Sequence, residues 1–430
     1  MTRSLDLSAI QGNVVRGYGH AFRHVGHLFG QIPGDPAAVE AWRSALARLS
    51  ERVTFGEWGD GGKPEYTLNL GLSFGALTKL RPDAAELSER FPAFAAGFSG
   101  RELALGESRL DVLPIWRERE VWFSVHAQSS AALERGISEL RAHSNGIALQ
   151  ELSPHGQAWV KEDGHWYEHF GFRDDVSNPT VAGAPVSRRR ADGAEAPIAA
   201  GEIVLGYENE RGVDRLAGVA LPLRALFDQG TFGVFCDLEQ HVARFWEHLS
   251  AQAHHYGVQV DWLAEKLVGR RRNGESLAVP GETTNFDYRG DESGSRCPIG
   301  AHVRRSNPRK NGEHRLMRRG VPYGRPLEYG AVDDGTTRGL YFVVFNASIE
   351  DQFEFVQQVW LNGPAGKLRN ACDALVGSVP SGDRKLLIEP ESDGSDPVLL
   401  LKLPHFVTNR GGQYYLLPGR RGLEAIARKV

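Results

Sequence analysis

The chain has 430 residues and only three cysteines, Cys236, Cys297 and Cys372. They are odd in number and far apart, which excludes a disulfide framework and fits a reducing compartment. Long apolar runs are also missing, and no stretch approaches the length that spans a bilayer. The opening MTRSLDLSAIQGNVVRGYGH has no continuous apolar run after Arg3, so neither a Sec nor a twin-arginine signal is read there. The expectation is a soluble, cytoplasmic protein with no membrane partner. A dominant charge sign is absent as well. The formal net charge is −4, with 24% charged and 41% hydrophobic residues. That is ordinary globular composition. It excludes whole-chain attraction to nucleic acid or anionic membrane, so any basic patch is local. No GxGxxG follows a strand and opens a helix, which removes a dinucleotide-binding fold.

The segments YTLNLGLSF (66–74), VWFSVHAQ (121–128), GTFGVF (230–235), GLYFVVFNAS (339–348) and GGQYYLLP (411–418) predict strands. All are short and rich in Val, Phe, Tyr or Thr, and several are bounded by glycine. Apolar residues recur at helical spacing over 35–53, 131–143, 238–255 and 349–361. The first of these opens with Asp35 at an N-cap and Pro36 at the first helical position. The irregular alternation predicts an α+β fold with antiparallel sheet. The stretch 181–201, VAGAPVSRRRADGAEAPIAAG, lacks periodicity and reads as a linker or long surface loop. It separates halves of similar size, each with strands and a long amphipathic helix. That hints at a duplication, although no direct repeat is visible.

Residues 295–310, SRCPIGAHVRRSNPRK, place His302 at the edge of a cluster of Arg304, Arg305, Arg309 and Lys310. Three readings compete. The first is a metal shared with Cys297. A structural zinc site normally brings two ligand pairs, and no second CxxC, CxxH or HxxxH pair lies nearby. His165 and His169 in HWYEH sit among glycines and aromatics that suggest strand or loop. The second is nucleic acid, but the interleaved aromatics of single-strand binders are lacking, and a solvated or ion-paired arginine cluster is the plainer reading. The third is haem, whose iron takes a proximal histidine and whose propionates suit arginine.

Two further stretches bear on the third reading. GFRDDVSNP (171–179) sets Asp174 beside Asp175. A buried carboxylate next to another acid has a raised pKa suited to proton transfer, although Asp, Ser, Asn and Pro are also plain turn formers. HRLMRRGVPYG (314–324) puts Arg318 and Arg319 ahead of a turn, aimed into a pocket or left as surface charge.

In this order the three stretches resemble the dye-decolorizing peroxidase family, in its larger fungal- and cyanobacterial-like members. The family's GxxDG motif is similar to Gly171–Asp175, its axial-histidine motif to GAHVRRSNPR (300–309), and its distal-arginine motif to RRGVPYG (318–324). Weaker likenesses, such as IQGNVVRGYG (10–19), GEIVLGYENERG (201–212) and FVTNRGGQYYLLP (406–418), extend over nearly the whole chain. Each motif alone is only moderately specific; their common order is what carries the resemblance.

The resemblance implies two ferredoxin-like halves with antiparallel sheets and peripheral helices, in a dimeric α+β barrel-like arrangement. Residues 1–185 would carry the distal Asp motif, and 200–430 would hold haem. It implies one haem b per chain with His302 as proximal iron ligand, and Arg309 and Arg304 as cofactor contacts. It makes Asp174 the distal acid–base and Arg318 the distal cation, with Leu340 and Phe342 lining the distal wall. Strand alternation puts those last two on one face; ordinary core packing is the other reading. Trp360, Tyr323 and Tyr414 are candidate electron relays. The implied partners are hydrogen peroxide and a small aromatic reductant, with no nucleic acid, and a homo-oligomer is compatible with the sequence. The implied activity is a haem peroxidase that oxidises phenolic or dye-like donors in one-electron steps. The alternatives are a specialised haem tailoring oxidase and a non-catalytic haem-binding protein; simple binding would need neither Asp174 nor Arg318. One departure stands out: Asp175 replaces the motif's final glycine. Asp tolerates positive φ, but its charge is expected to raise the pKa of Asp174.

Overall fold

The computed structural model describes residues 3–18, 21–58, 62–105, 114–174, 176, 178–185, 196–308, 314–364, 372–378, 384–391 and 396–428. In the N-terminal part β1 (His24–Gly30), α1 (Pro36–Ser50), β2 (Tyr66–Leu72), β3 (Val121–Ala127), α2 (Ser130–His143) and β4 (Gly156–Gln157) follow one another. Both helices start on side-chain caps. The Asp35 carboxylate accepts the Ala38 N–H at 2.8 Å, and the Ser129 hydroxyl accepts the Ala132 N–H at 3.2 Å, which satisfies donors the first turn leaves open. The antiparallel strand order is β4-β1-β3-β2.

The C-terminal part repeats the plan. It runs through β5 (Thr231–Gln240), α3 (Val242–Tyr256), α4 (Val260–Val268), α5 (His302–Ser306), β6 (Met317–Arg318), β7 (Val321–Tyr323), β8 (Gly339–Asn346) and β9 (Val407–Leu417). The order here is β9-β5-β8-β7, with β6 also pairing β8. In each half the last strand lies beside the first and the first beside the third, the ferredoxin-like pattern.

Two seams join the halves, Leu72 of β2 against Leu416 of β9 and Gly156 of β4 against Tyr323 of β7. The sheet thereby closes on itself, and pairing at the seams covers edges that would otherwise be open. Side chains alternate across the strands. Val25, Phe29, Trp122, Phe235, Tyr341, Val343 and Tyr415 cluster inside the closed sheet. On the outer face Leu28, Leu70 and Phe123 pack with Leu46 of α1 and Leu133 of α2. A separate apolar cluster joins α3 and α4 to Phe170, Phe172 and Leu386.

Three expectations need correction in detail. Residues 238–240 do not open a helix; they extend β5, where Leu238 and Glu239 pair with Leu340 and Gly339. Ladder pairing overrides local helical preference there. Phe74 belongs to a helix, Phe74–Leu80, that begins on the Ser73 cap. The helix over 349–361 is π-wound, in the segments Ile349–Glu354 and Val356–Leu361. The expected loop at 181–201 is tied at its ends by a bridge between Val181 and Ile198, and 186–195 lie outside the described residues.

Candidate active site

The helix α5 begins at His302, directly after its N-cap Ala301. Nδ1 of His302 lies 2.9 Å from Oδ2 of Asp373, and the two side chains are 29% and 0% exposed. The Asp373 carboxylate is fixed in turn. Its Oδ1 accepts the N–H groups of Leu375 at 2.9 Å and Val376 at 2.8 Å. Burial pushes the Asp373 pKa up, but the His302 ring and these two N–H groups hold it below the usual range. Burial pushes the imidazole down, and the Asp373 charge and hydrogen bond more than offset this, so its net shift is upward. A carboxylate on Nδ1 fixes the tautomer and ring angle and leaves the Nε2 lone pair as the ligating position.

The chain around His302 is braced from several sides. Asp373 donates its backbone N–H to Leu361 O at 2.7 Å, and Ala374 donates to Gly300 O at 3.1 Å. Arg304 donates to Asp291 Oδ2 at 3.0 Å and to Cys297 O at 2.7 Å, and it lies over the Tyr288 ring at 4.6 Å. Its guanidinium is thus committed to the loop that carries His302. Arg305 donates to Gly363 O at 2.5 Å. Arg309 lies outside the described residues. Cys297 is buried and its thiol donates to Gly269 O at 3.6 Å. Among the described residues no group of three or more His, Cys, Asp or Glu side chains could hold a metal ion, so the zinc reading finds no site there.

A second pair stands near the imidazole. Arg318 of β6 donates from Nη1 to Asp174 Oδ1 at 3.0 Å, with side chains 31% and 34% exposed. Asp174 is therefore partly open. The fields of Arg318 and Asp174 both reach His302, with opposite sign. The Arg318 N–H donates to Asn178 Oδ1 at 2.9 Å, and the Asp174 N–H donates to Trp166 O at 3.0 Å. Asp175 lies outside the described residues. Arg318 pairs with Val344 across β6 and β8. Leu340 and Phe342 share that outward face of β8, half-buried, whereas Tyr341 and Val343 turn into the closed sheet.

The other aromatics are partnered. Tyr323 donates to Asp237 Oδ1 at 2.7 Å and stacks on Tyr341 at 4.2 Å. Tyr414 is buried and donates to Glu354 Oε1 at 3.0 Å. Trp360 meets His314 edge-on at 5.4 Å.

Asp373 escaped the sequence reading. Its only signal is one acid within the otherwise mainly apolar NACDALVGSVP. The donor set fits haem better than a bare ion. Haem supplies four ligands of its own and asks the protein for one oriented imidazole, and His302 held by Asp373 provides one.

Comparison with known proteins agrees. Residues 225–379 match the family model "Dyp-type peroxidase, C-terminal". The chain is 29% identical over 332 residues to the multifunctional dye peroxidase DyP2 of an Amycolatopsis species, covering 68% of each chain. It is 29% identical over 304 residues to the dye-decolorizing peroxidase AauDyP1 of Auricularia auricula-judae, a match spanning 60% of this chain and 55% of that relative's own length. In fold it resembles a dye-decolorizing peroxidase solved in complex with 2,6-dimethoxyphenol, with a TM-score of 0.79, 23% identity, and coverage of 99% of this chain and 100% of the other. These relatives are named as peroxidases, a class of oxidoreductase acting on peroxide. The chain is similar to dye-decolorizing peroxidases in its C-terminal part, in its curated relatives and in fold.

Proposed function

We propose that the protein binds one haem b per chain through His302 and reduces hydrogen peroxide to water while oxidising phenolic or dye-like donors one electron at a time. The observation that carries this reading is the pairing of an Asp373-oriented His302 with an Arg318–Asp174 ion pair whose fields reach the same imidazole. The reading divides the chain into residues 1–185, which bring Asp174, and 200–430, which bring His302 and Arg318. His302 would hold the haem, which would supply one-electron redox chemistry at its iron.

The remaining chemistry falls to side chains. Asp174 would move a proton from one peroxide oxygen to the other, so that the second leaves as water when the O–O bond breaks. Arg318 holds the Asp174 carboxylate at 3.0 Å and adds fixed positive charge where the O–O bond polarises. Leu340 and Phe342 wall the same space and limit the entry of water. The phenolic ligand named for the structural relative supports phenols as donors. In this reading the protein works in the cytoplasm; no helix among the described residues is long and apolar enough to cross a membrane. The test is stopped-flow mixing of haem-loaded protein with peroxide, followed by a screen of phenols and dyes. Rapid spectral conversion with donor turnover is expected. Haem that stays silent to peroxide would reduce the protein to a haem binder.

A further inference from the structure

The turn that carries Asp174 is built around a carboxylate of its own. Glu168 donates its backbone N–H to Phe172 O at 3.0 Å, and Gly171 donates back to Glu168 O at 2.9 Å. Inside this turn the Glu168 side chain folds over the backbone. Oε1 accepts the Phe172 N–H at 2.9 Å, and Oε2 accepts the Phe170 N–H at 2.9 Å. From β5, the Gln240 amide donates to Oε2 at 2.8 Å. Three donors thus converge on the carboxylate, a demand that only a group with two acceptor oxygens can meet. A Gln in its place would set an NH2 against backbone N–H groups.

Gln240 is mostly buried, and its own Oε1 has no partner among the described residues. A half-turn of that amide would offer an acceptor to a protonated Glu168, so the same pair can close in either protonation state. Beyond the carboxylate the turn is tight. Gly171 has φ +90°, and a Cβ there would meet the Arg272 guanidinium at 2.6 Å. Burial pushes the Glu168 pKa up to about 7, and the nearby Asp174 charge pushes the same way. Lys161 is a cation whose charge couples to Glu168.

We propose that Glu168, held by Gln240, is a positioning residue that sets the conformation of the Phe170–Asp174 turn and thereby the placement of Asp174. This rests on the reading of Asp174 as the proton-transfer group. Glu168 does not touch the reactants; it acts by fixing backbone N–H groups two and four residues downstream.

The test compares wild type, E168Q, Q240L and D174N as haem-loaded proteins. Two quantities are measured: the bimolecular rate with hydrogen peroxide across pH, and hydrogen exchange of the peptide spanning Phe170 and Phe172. E168Q is expected to lose protection in that peptide and to slow by about 10²-fold, the order of loss for a displaced reacting group, with an altered pH profile. Q240L, which keeps both backbone acceptors, is expected to shift the pH profile with a smaller loss of rate. It supplies the answer if E168Q fails to fold. Unchanged protection and rate in both variants overturn the inference. So does a rate loss with protection intact, because that would put Glu168 in contact with the reactants. A D174N rate equal to wild type would instead sink the reading of Asp174 itself.

Discussion

Asp373 lies 71 positions after His302, and its Oδ2 meets His302 Nδ1 at 2.9 Å from a side chain with no exposure. Replacement by Asn keeps the shape but removes the charge that orients the ring and raises its basicity. Asp373→Asn should weaken haem binding by about 10- to 100-fold, the usual cost of losing such an outer partner. Titration of the apoprotein with haem would measure this. Unchanged affinity would mean that the ring is held by packing alone.

What the sequence showed and what it hid follow from distance along the chain. His302, Asp174 and Arg318 each sit in a compact local motif, so the resemblance of those motifs to a family could single them out, although no motif did so alone. Asp373 could not be singled out so, because its partner is remote and its surroundings are apolar. β1 also went unrecognised. Its HVGHLFG segment carries two glycines and two histidines because helices and the barrel interior press close: a Cβ at Gly30 would meet Trp42 at 2.3 Å, and His27 is enclosed within the closed sheet. The closure of two halves into one sheet rests on single-pair seams at Leu72–Leu416 and Gly156–Tyr323, and no local pattern announces those.

Asp174→Asn should leave haem binding intact and slow the reaction with peroxide by about 10²- to 10⁴-fold, the range general acid–base catalysis contributes. Stopped-flow rates at several peroxide concentrations test it. Rates within a few-fold of wild type would mean that another group moves the proton.

Arg304 separates a structural role from a cofactor contact. Its partner Asp291 has a fully buried side chain, and stripping the cation from a buried pair costs about 3 kcal/mol or more. Arg304→Leu should therefore destabilise the apoprotein by that order in urea denaturation. An apoprotein as stable as wild type, with weakened haem binding, would assign Arg304 to the cofactor instead.

Glu168 makes stability depend on pH in a definite direction. Burial places its folded pKa near 7, about 2.5 above the ordinary 4.5. Between those values the folded state binds more protons than the unfolded chain, so this group's stabilisation is complete below the ordinary value and is lost as pH rises through the folded one. Denaturation at about pH 5 and about pH 8 should show a fall in wild type that Glu168→Gln lacks. Equal slopes in the two proteins would contradict the assignment.

The most direct test of the whole account is the absorption spectrum of haem-loaded wild type and His302→Ala, before and after one equivalent of peroxide. The account predicts a histidine-ligated ferric spectrum in wild type that converts rapidly with peroxide and is lost in the variant. Haem bound with the same spectrum in His302→Ala would contradict it.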